Sequence, residues 1–409
     1  MGKNIIVGQS GGPTAVINSS LAGVFQSAKD RGVEKIYGMV NGIQGLLKEE
    51  YVDLKEHIES SLHVELLKRT PSSYLGSCRY RLKNAEDSTE EYVKLFEIFE
   101  KLDIGAFFYI GGNDSMDTIN KLYNYGKTVG SDIKFIGIPK TIDNDLMMTD
   151  HTPGFGSAAK YIGAMTKEII RDGLVYGTKQ VTILEVMGRN AGWLTGATAL
   201  SKGDDCEGID LIYVPEVPFD VESFVAKVDE LQKKKLSVVV AVSEGVKTPD
   251  GKYVSELTDN EQFVDAFGHK SLTGTSRYLA NLCARRIGCK TRAIEFSTLQ
   301  RCASHLSSRV DVTEAYQVGG AGVKAAMEGI SGKMVTLVRI SNDPYQCTTG
   351  LVDIGQIANF EKTVPIEWLN ETKDFVTADF LSYVKPLIQA ELTPIMVDGL
   401  PQHLYMRRK

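Results

Sequence analysis

The sequence predicts an α/β protein of two lobes, each a mainly parallel sheet covered by helices, with a cleft between them. Three observations carry that expectation. Short, almost continuous apolar runs alternate with helix-periodic stretches, the pattern of strands buried on both faces. A strand–glycine–helix unit occurs twice, around Gly11-Gly12 and Gly111-Gly112. The chain has 409 residues, enough for two or three domains at roughly 150 residues each, yet it has no low-complexity linker and no fixed-period repeat. The units therefore abut directly.

The elements follow in order. Ile5-Ile6-Val7 forms a first strand that stops at Gly8-Gln9-Ser10-Gly11-Gly12-Pro13. A helix follows, with Val16, Ile17, Leu21, Val24 and Phe25 on one face up to Gly32. Ala106 to Ile110 repeats the pattern, running into Gly111-Gly112-Asn113-Asp114-Ser115 and a helix marked by Met116, Ile119 and Leu122. Further strands are expected at 134–138, 180–186, 209–214, 237–242, 292–297 and 333–339. The stretch Gly320-Ala321-Gly322-Val323-Lys324-Ala325 matches a dinucleotide fingerprint in letters only. It follows a helical rather than a strand pattern, so no dinucleotide site is expected there.

Composition excludes several classes. Apolar residues make up 43% and charged residues 24%, which rules out wholesale disorder. The net charge of −6 argues against nucleic acid as a partner, because phosphate binding needs a basic face. No run of 18 apolar residues exists, and the start has neither a signal-peptide core nor a myristoylation signal, so no membrane association is expected. The six cysteines form no C-x-x-C pair, which argues against zinc and a disulfide framework. A cytoplasmic protein with free thiols is the expectation. Glycine is the one excess, at 39 residues against 12 prolines, and glycine concentrates where backbone turns tightly or approaches a ligand.

The chemistry-bearing motifs sit at strand ends, where open α/β sheets place their sites. Gly11-Gly12 suits a phosphate cradle, since glycine lets backbone N–H groups approach an anion. Asn113, Asp114 and Ser115 suit either helix capping or an oxygen-ligated Mg²⁺. Pro139-Lys140-Thr141-Ile142-Asp143-Asn144-Asp145 follows the strand at 134–138. If that segment is extended, Thr141, Asp143 and Asp145 project to one side, and a hydroxyl with two carboxylates suits deprotonation of an alcohol. Met187-Gly188-Arg189 closes the strand at 180–186, and Arg292 and Arg301 bracket another, placing guanidinium forks for phosphate. Glu244, ending the strand at 237–242, offers a carboxylate to sugar hydroxyls.

Taken in order, Gly11-Gly12-Pro13, Gly76-Ser77-Cys78-Arg79, GGNDS at 111–115, PKTIDND at 139–145, MGRNAGW at 187–193, Glu244 and Arg301 resemble the phosphofructokinases, over roughly positions 4 to 330. The pyrophosphate-dependent branch is the most similar. The resemblance implies two Rossmann-like lobes, with residues 1–150 and part of 299–345 binding the donor and 151–298 the sugar phosphate. Residues 346–409 would then complete the lobes or contact another copy. It implies that Asp143 takes the proton from the sugar's C1 hydroxyl, with Thr141 on the transferring phosphoryl group and Asp145 as electrostatic support. Ile142, Met187, Gly188 and Arg189 would contact the acceptor, with Arg189 also facing the charge that develops on transfer. Glu244 would take sugar hydroxyls, and Arg292 and Arg301 the 6-phosphate. Gly11, Gly12, Arg79, Asp114 and Lys140 would bind the donor, with Asn113 at the Mg²⁺ position.

Donor choice rests on Asp114 and Lys140, both glycine in ATP-using members of the family. A carboxylate at 114 would repel a nucleotide's α-phosphate by several kcal/mol in a partly desolvated site. Lys140 would neutralise the departing phosphate. The implied reaction is transfer from pyrophosphate to fructose 6-phosphate, by a homodimer or homotetramer. The alternatives are an ATP-dependent phosphofructokinase and a non-catalytic sugar-phosphate sensor. Three positions depart from the family pattern: Asn113 replaces an aspartate, Gln180 a subunit-crossing arginine, and Thr298 a histidine near the 6-phosphate.

Overall fold

The computed structural model describes residues 4–257, 272–357 and 360–406. The chain ends at Met1–Lys3 and Arg407–Lys409, on which the expected absence of a targeting signal partly rests, lie outside the described residues.

The chain lays down β1 (Asn4–Gln9), β2 (Ile36–Met39), β3 (Tyr51–Asp53), β4 (Ile104–Gly111), β5 (Lys134–Pro139), β6 (Gln180–Val186), β7 (Leu211–Tyr213), β8 (Ser237–Ser243), β9 (Lys290–Glu295), β10 (Lys333–Asn342), β11 (Tyr345–Asp353) and a small hairpin of β12 (Met396–Val397) and β13 (Leu400–Pro401). Seven strands form one sheet in the order β11-β10-β5-β4-β1-β2-β3, and four form a second in the order β7-β8-β6-β9. The second sheet is parallel throughout; the first is parallel except at its edges, where β11 and β3 run antiparallel to their neighbours. β1, β4, β6 and β8 are buried along their whole length, which is why they read as largely apolar runs.

The dinucleotide-like glycine stretch at 320–325 lies inside the helix Arg309–Met327, as its context predicted. Its neighbour Gly319 serves packing, since a Cβ there would come within 2.2 Å of the Ser20 carbonyl oxygen. On the facing helix, Ile17–Asp30, a Cβ on Gly23 would come within 2.0 Å of the Tyr316 carbonyl oxygen. Glycine on both sides brings the two backbones together.

Five strands escaped the sequence reading, among them the two-residue strands β12 and β13. β2 and β3 are short, and β11 lies at a sheet edge with much of its length exposed, so none carries a long apolar run. β9 begins two residues before the expected strand. It cannot run on through 297, because Ser297 adopts a left-handed φ of 44° and turns the chain into the helix Leu299–Cys302. The segment beyond β11 folds back on the second sheet, where Trp368, Phe380 and Tyr383 pack around Trp193. All six cysteines are free. Among the described residues no helix is long and apolar enough to cross a membrane.

Candidate active site

The C-terminal ends of β1, β4, β5, β6 and β8 converge on a cavity of about 660 Å³. The loop after β1 forms one wall. Gly11 has a left-handed φ of 75°, which glycine adopts without strain, and its carbonyl accepts a hydrogen bond from Ser77 Oγ at 2.6 Å. A Cβ on Gly12 would lie 2.9 Å from an Arg301 guanidinium nitrogen, so glycine lets that cation stand directly over the backbone. Arg79 reaches the same space from the loop after Gly76.

β4 supplies the second wall. The helix begins at Asn113, with Gly112 as the residue before it and no side chain capping its amides. Asn113, Asp114 and Ser115 are therefore first-turn residues and not caps. Asn113 Nδ2 donates to the Phe360 carbonyl at 2.8 Å, while its Oδ1 is buried without a partner. Asp114 is exposed at the cavity edge.

The loop after β5 sits in the middle. The sequence suggested an extended segment; the chain turns instead. Asp143 N–H donates to Thr141 Oγ1 at 3.1 Å, and Asn144 adopts a left-handed φ of 55°. Asn144 is pinned from both ends of its amide: its Nδ2 donates to Tyr383 Oη at 2.9 Å, and its Oδ1 accepts from Thr152 N–H at 3.1 Å. Thr141, Asp143 and Asp145 still all line the cavity, brought there by the turn.

Lys140 is buried among these groups, donating from Nζ to the Gly12 carbonyl at 2.6 Å. Burial lowers its pKa to about 8, against the pull of the Asp143 and Asp145 carboxylates. Burial likewise raises Asp143, with Lys140 and a hydrogen bond from Thr141 opposing. Asp145 is lifted to about 7 by burial and by the neighbouring Asp143. Its Oδ1 is buried without a partner.

The second sheet completes the cavity. Gly188 takes a φ of 132°, and its carbonyl accepts from Ser243 Oγ at 2.6 Å, which fixes the turn that presents Met187 and Arg189. Glu244 accepts from Gly188 N–H at 3.4 Å, and burial with the nearby Asp143 raises it to about 7. Gly245 is required beneath this turn, because a Cβ would fall 1.8 Å from the Arg189 carbonyl oxygen. Arg301 closes this end, its pKa lowered by burial and by Arg79.

Gly11, Gly12, Arg79, Asn113, Asp114, Lys140, Thr141, Ile142, Asp143, Met187, Arg189, Glu244 and Arg301 thus share one cavity, and Gly188 shapes its wall. Arg292 does not. On β9, at the edge of the second sheet, it pairs with Asp172 at 2.7 Å and lies over the Tyr176 ring. Gln180 is buried at the foot of β6, donating to the Gly173 carbonyl, and Thr298 is exposed. The sequence reading missed Tyr80, Asn190 and Glu361, which also line the cavity. Asn190 stood inside a quoted motif. Glu361 had no local signal, since its partner Asn190 lies 171 residues away along the chain.

A cation-lined cleft with glycine walls, carboxylates at a strand end and a second arginine-bearing wall is suited to moving a phosphoryl group between two bound anions. The model of the family described as Phosphofructokinase matches residues 4–344, and the chain belongs to that family. Over 407 residues it is 39% identical to a pyrophosphate–fructose 6-phosphate 1-phosphotransferase of Methylococcus capsulatus, covering 98% of this chain and 95% of that one. A protein of the same name from Halomonas elongata is 39% identical over 403 residues, with the same shares covered. The crystal structure of a pyrophosphate-dependent phosphofructokinase from Nitrosospira multiformis superposes with a TM-score of 0.88 at 40% identity, covering 98% of this chain and 95% of that one.

Proposed function

We propose that this protein transfers a phosphoryl group reversibly from Mg-pyrophosphate to the C1 hydroxyl of fructose 6-phosphate, giving fructose 1,6-bisphosphate and phosphate. The observation that carries this reading is the buried Lys140, with its Nζ on the Gly12 carbonyl and the Asp143 and Asp145 carboxylates beside it. A cation there meets the charge on a leaving phosphate with no nucleotide needed to supply it. Asp143 accepts the C1 hydroxyl proton as the oxygen attacks, and Thr141 holds Asp143 and meets the transferring group. Arg189 faces the charge developing between the two phosphates. Met187 and Ile142 pack the sugar, Glu244 takes its hydroxyls and Arg301 its 6-phosphate. Gly11, Gly12 and Arg79 hold pyrophosphate, and Asp114 disfavours a longer polyphosphate.

The donor set fits a hard divalent cation. Asn113 Oδ1 and Asp145 Oδ1 are buried, partnerless oxygens lining the same cavity, and these residues would hold Mg²⁺. Bound there, the ion would neutralise donor charge. Among the described residues no group of three or more His, Cys, Asp or Glu side chains has metal-binding spacing.

We assign donor binding to the loops of the seven-stranded sheet and sugar-phosphate binding to those of the four-stranded sheet. Arg292, placed on the outer edge of that sheet, is assigned to the 6-phosphate of a second copy in a homodimer or homotetramer. The deciding experiment offers fructose 6-phosphate and Mg²⁺ with either pyrophosphate or ATP. Turnover with pyrophosphate alone is expected. Faster turnover with ATP overturns the donor, and none with either overturns the enzyme in favour of a sugar-phosphate sensor.

A further inference from the structure

The stretch Phe360–Lys362 lies beyond the residues matched by the family model, yet it touches both walls of the cavity and its central loop. The Phe360 carbonyl accepts from Asn113 Nδ2 at 2.8 Å. Glu361 Oε1 accepts from Asn190 Nδ2 at 2.9 Å, so one short strap joins the helix after β4 to the arginine-bearing turn after β6. Lys362 fastens the strap to the loop after β5. Its backbone N–H donates to the Asp145 carbonyl at 2.8 Å, and its Nζ donates to the Thr149 and Asp150 carbonyls at 3.2 and 2.7 Å. The Lys362 carbonyl in turn accepts from Trp193 Nε1 at 3.0 Å, and the Lys362 ammonium lies 5.4 Å from that ring's centroid. Two residues on, Val364 N–H donates to Glu216 Oε1, the oxygen that also accepts from Gly192 N–H, both at 2.8 Å.

We propose that Glu361 and Lys362 are positioning residues for phosphoryl transfer, holding the loop that carries Asp143 and Asp145 in register with the turn that carries Arg189. The need is geometric. Asp143 and Asp145 belong to a loop off one sheet and Arg189 to a turn off the other, and among the described residues no strand pairing joins the two sheets. In-line transfer tolerates little error between base and charge stabiliser, and a shift of about 1 Å can cost about 10²-fold in rate. The strap bridges that gap with contacts to Asn113, Asp145 and Asn190. Because these contacts hold the groups assigned to the transfer step, losing them falls chiefly on kcat.

This inference rests on the proposed reaction, so wild type and variants are assayed together with pyrophosphate, Mg²⁺ and fructose 6-phosphate. Glu361→Ala and Asn190→Ala are each expected to lower kcat about tenfold with both KM values within about twofold. The double variant should be no worse than either, because both remove one contact. Glu361→Gln keeps an acceptor oxygen and should retain at least about half of wild-type kcat. Lys362→Met should fall as far as Glu361→Ala, with Lys362→Arg recovering most of the loss. The chain's two tryptophans, Trp193 and Trp368, pack against each other beside the strap, so their emission reports whether each variant keeps its fold. Additive losses, Glu361→Gln as poor as Glu361→Ala, a loss confined to KM, or unaffected variants beside an active wild type would each overturn the strap's role. A wild type inactive with both donors overturns the reaction and this role with it.

Discussion

The two ends of the cavity are built from different materials. The end assigned above to the donor is mostly backbone: Gly11, Gly12, Gly111 and Gly112 at the ends of β1 and β4, within a single sheet. The end assigned to the acceptor is mostly side chain: Met187, Arg189, Glu244 and Arg301, carried by three separate segments around the second sheet. Backbone walls follow from the strands themselves. Side-chain clamps need each carrier turned correctly, and here one expected clamp, Arg292, points elsewhere. The loop with Lys140 and Asp143 stands between the ends, and the sharpest tests fall on it.

The largest effect is expected at Asp143. Asp143→Asn keeps the shape of the turn and removes the proton acceptor, so kcat should fall about 10³-fold with little change in either KM. A loss under tenfold would move the base elsewhere in the cavity.

Lys140→Met should lower kcat with pyrophosphate about 10²-fold, by removing a cation from the donor end. It also carries a pH signature, read in kcat/KM, which reports the free enzyme. In the wild type the Lys140 ammonium is lost as pH rises through about 8, which removes donor stabilisation on the alkaline side. On the acid side Asp143, its pKa raised by burial, takes up a proton as pH falls, as does Asp145 near 7, and the base is lost. The profile should therefore be a bell whose alkaline limb falls as pH rises through about 8 and whose acid limb lies above the ordinary carboxylate range. Lys140→Met removes the lysine titration, so the alkaline limb should disappear. It also removes a cation that holds Asp143 down, so the acid limb should move to higher pH. An unchanged bell would separate Lys140 from the chemistry.

How far the sequence could be read follows the same division. The buried strands were legible because burial on both faces writes a largely apolar run, and the glycine pairs because they stand between a strand and a helix. The partly exposed β2, β3 and β11 were not, since their sequences alternate or are too short to stand out. At the site, residues within a few positions of a strand end were found together, from Gly11 to Arg301. The bend at Asn144 was hidden, because it depends on Tyr383, which lies 239 residues away. Glu361 and Lys362 were hidden for the same reason. Their partners are set by tertiary folding, and no spacing along the chain encodes them.

Arg292→Ala tests the clamp proposed to act in a second copy. With its guanidinium on Asp172 at the outer edge of the second sheet, it should leave kcat within about twofold and raise the KM for fructose 6-phosphate about tenfold, through the cavity of a second copy. Mixing this variant with Asp143→Asn separates the two geometries. Rescue in mixed oligomers places Arg292 in trans, and its absence places the residue outside substrate binding altogether.

The smallest effect belongs to Asp114, at the edge of the donor end. Asp114→Gly removes the carboxylate expected to face a nucleotide's α-phosphate, and ATP should gain as a donor. The side chain is exposed, so water and salt screen its repulsion well below the value for a desolvated pair. The expected gain in kcat/KM with ATP is therefore about tenfold, greatest at low ionic strength and shrinking as salt is added. Pyrophosphate should remain the better donor, because Lys140 is still in place. Measured against ATP concentration at two ionic strengths, no gain at either would remove Asp114 from donor choice and leave Lys140 to carry it alone.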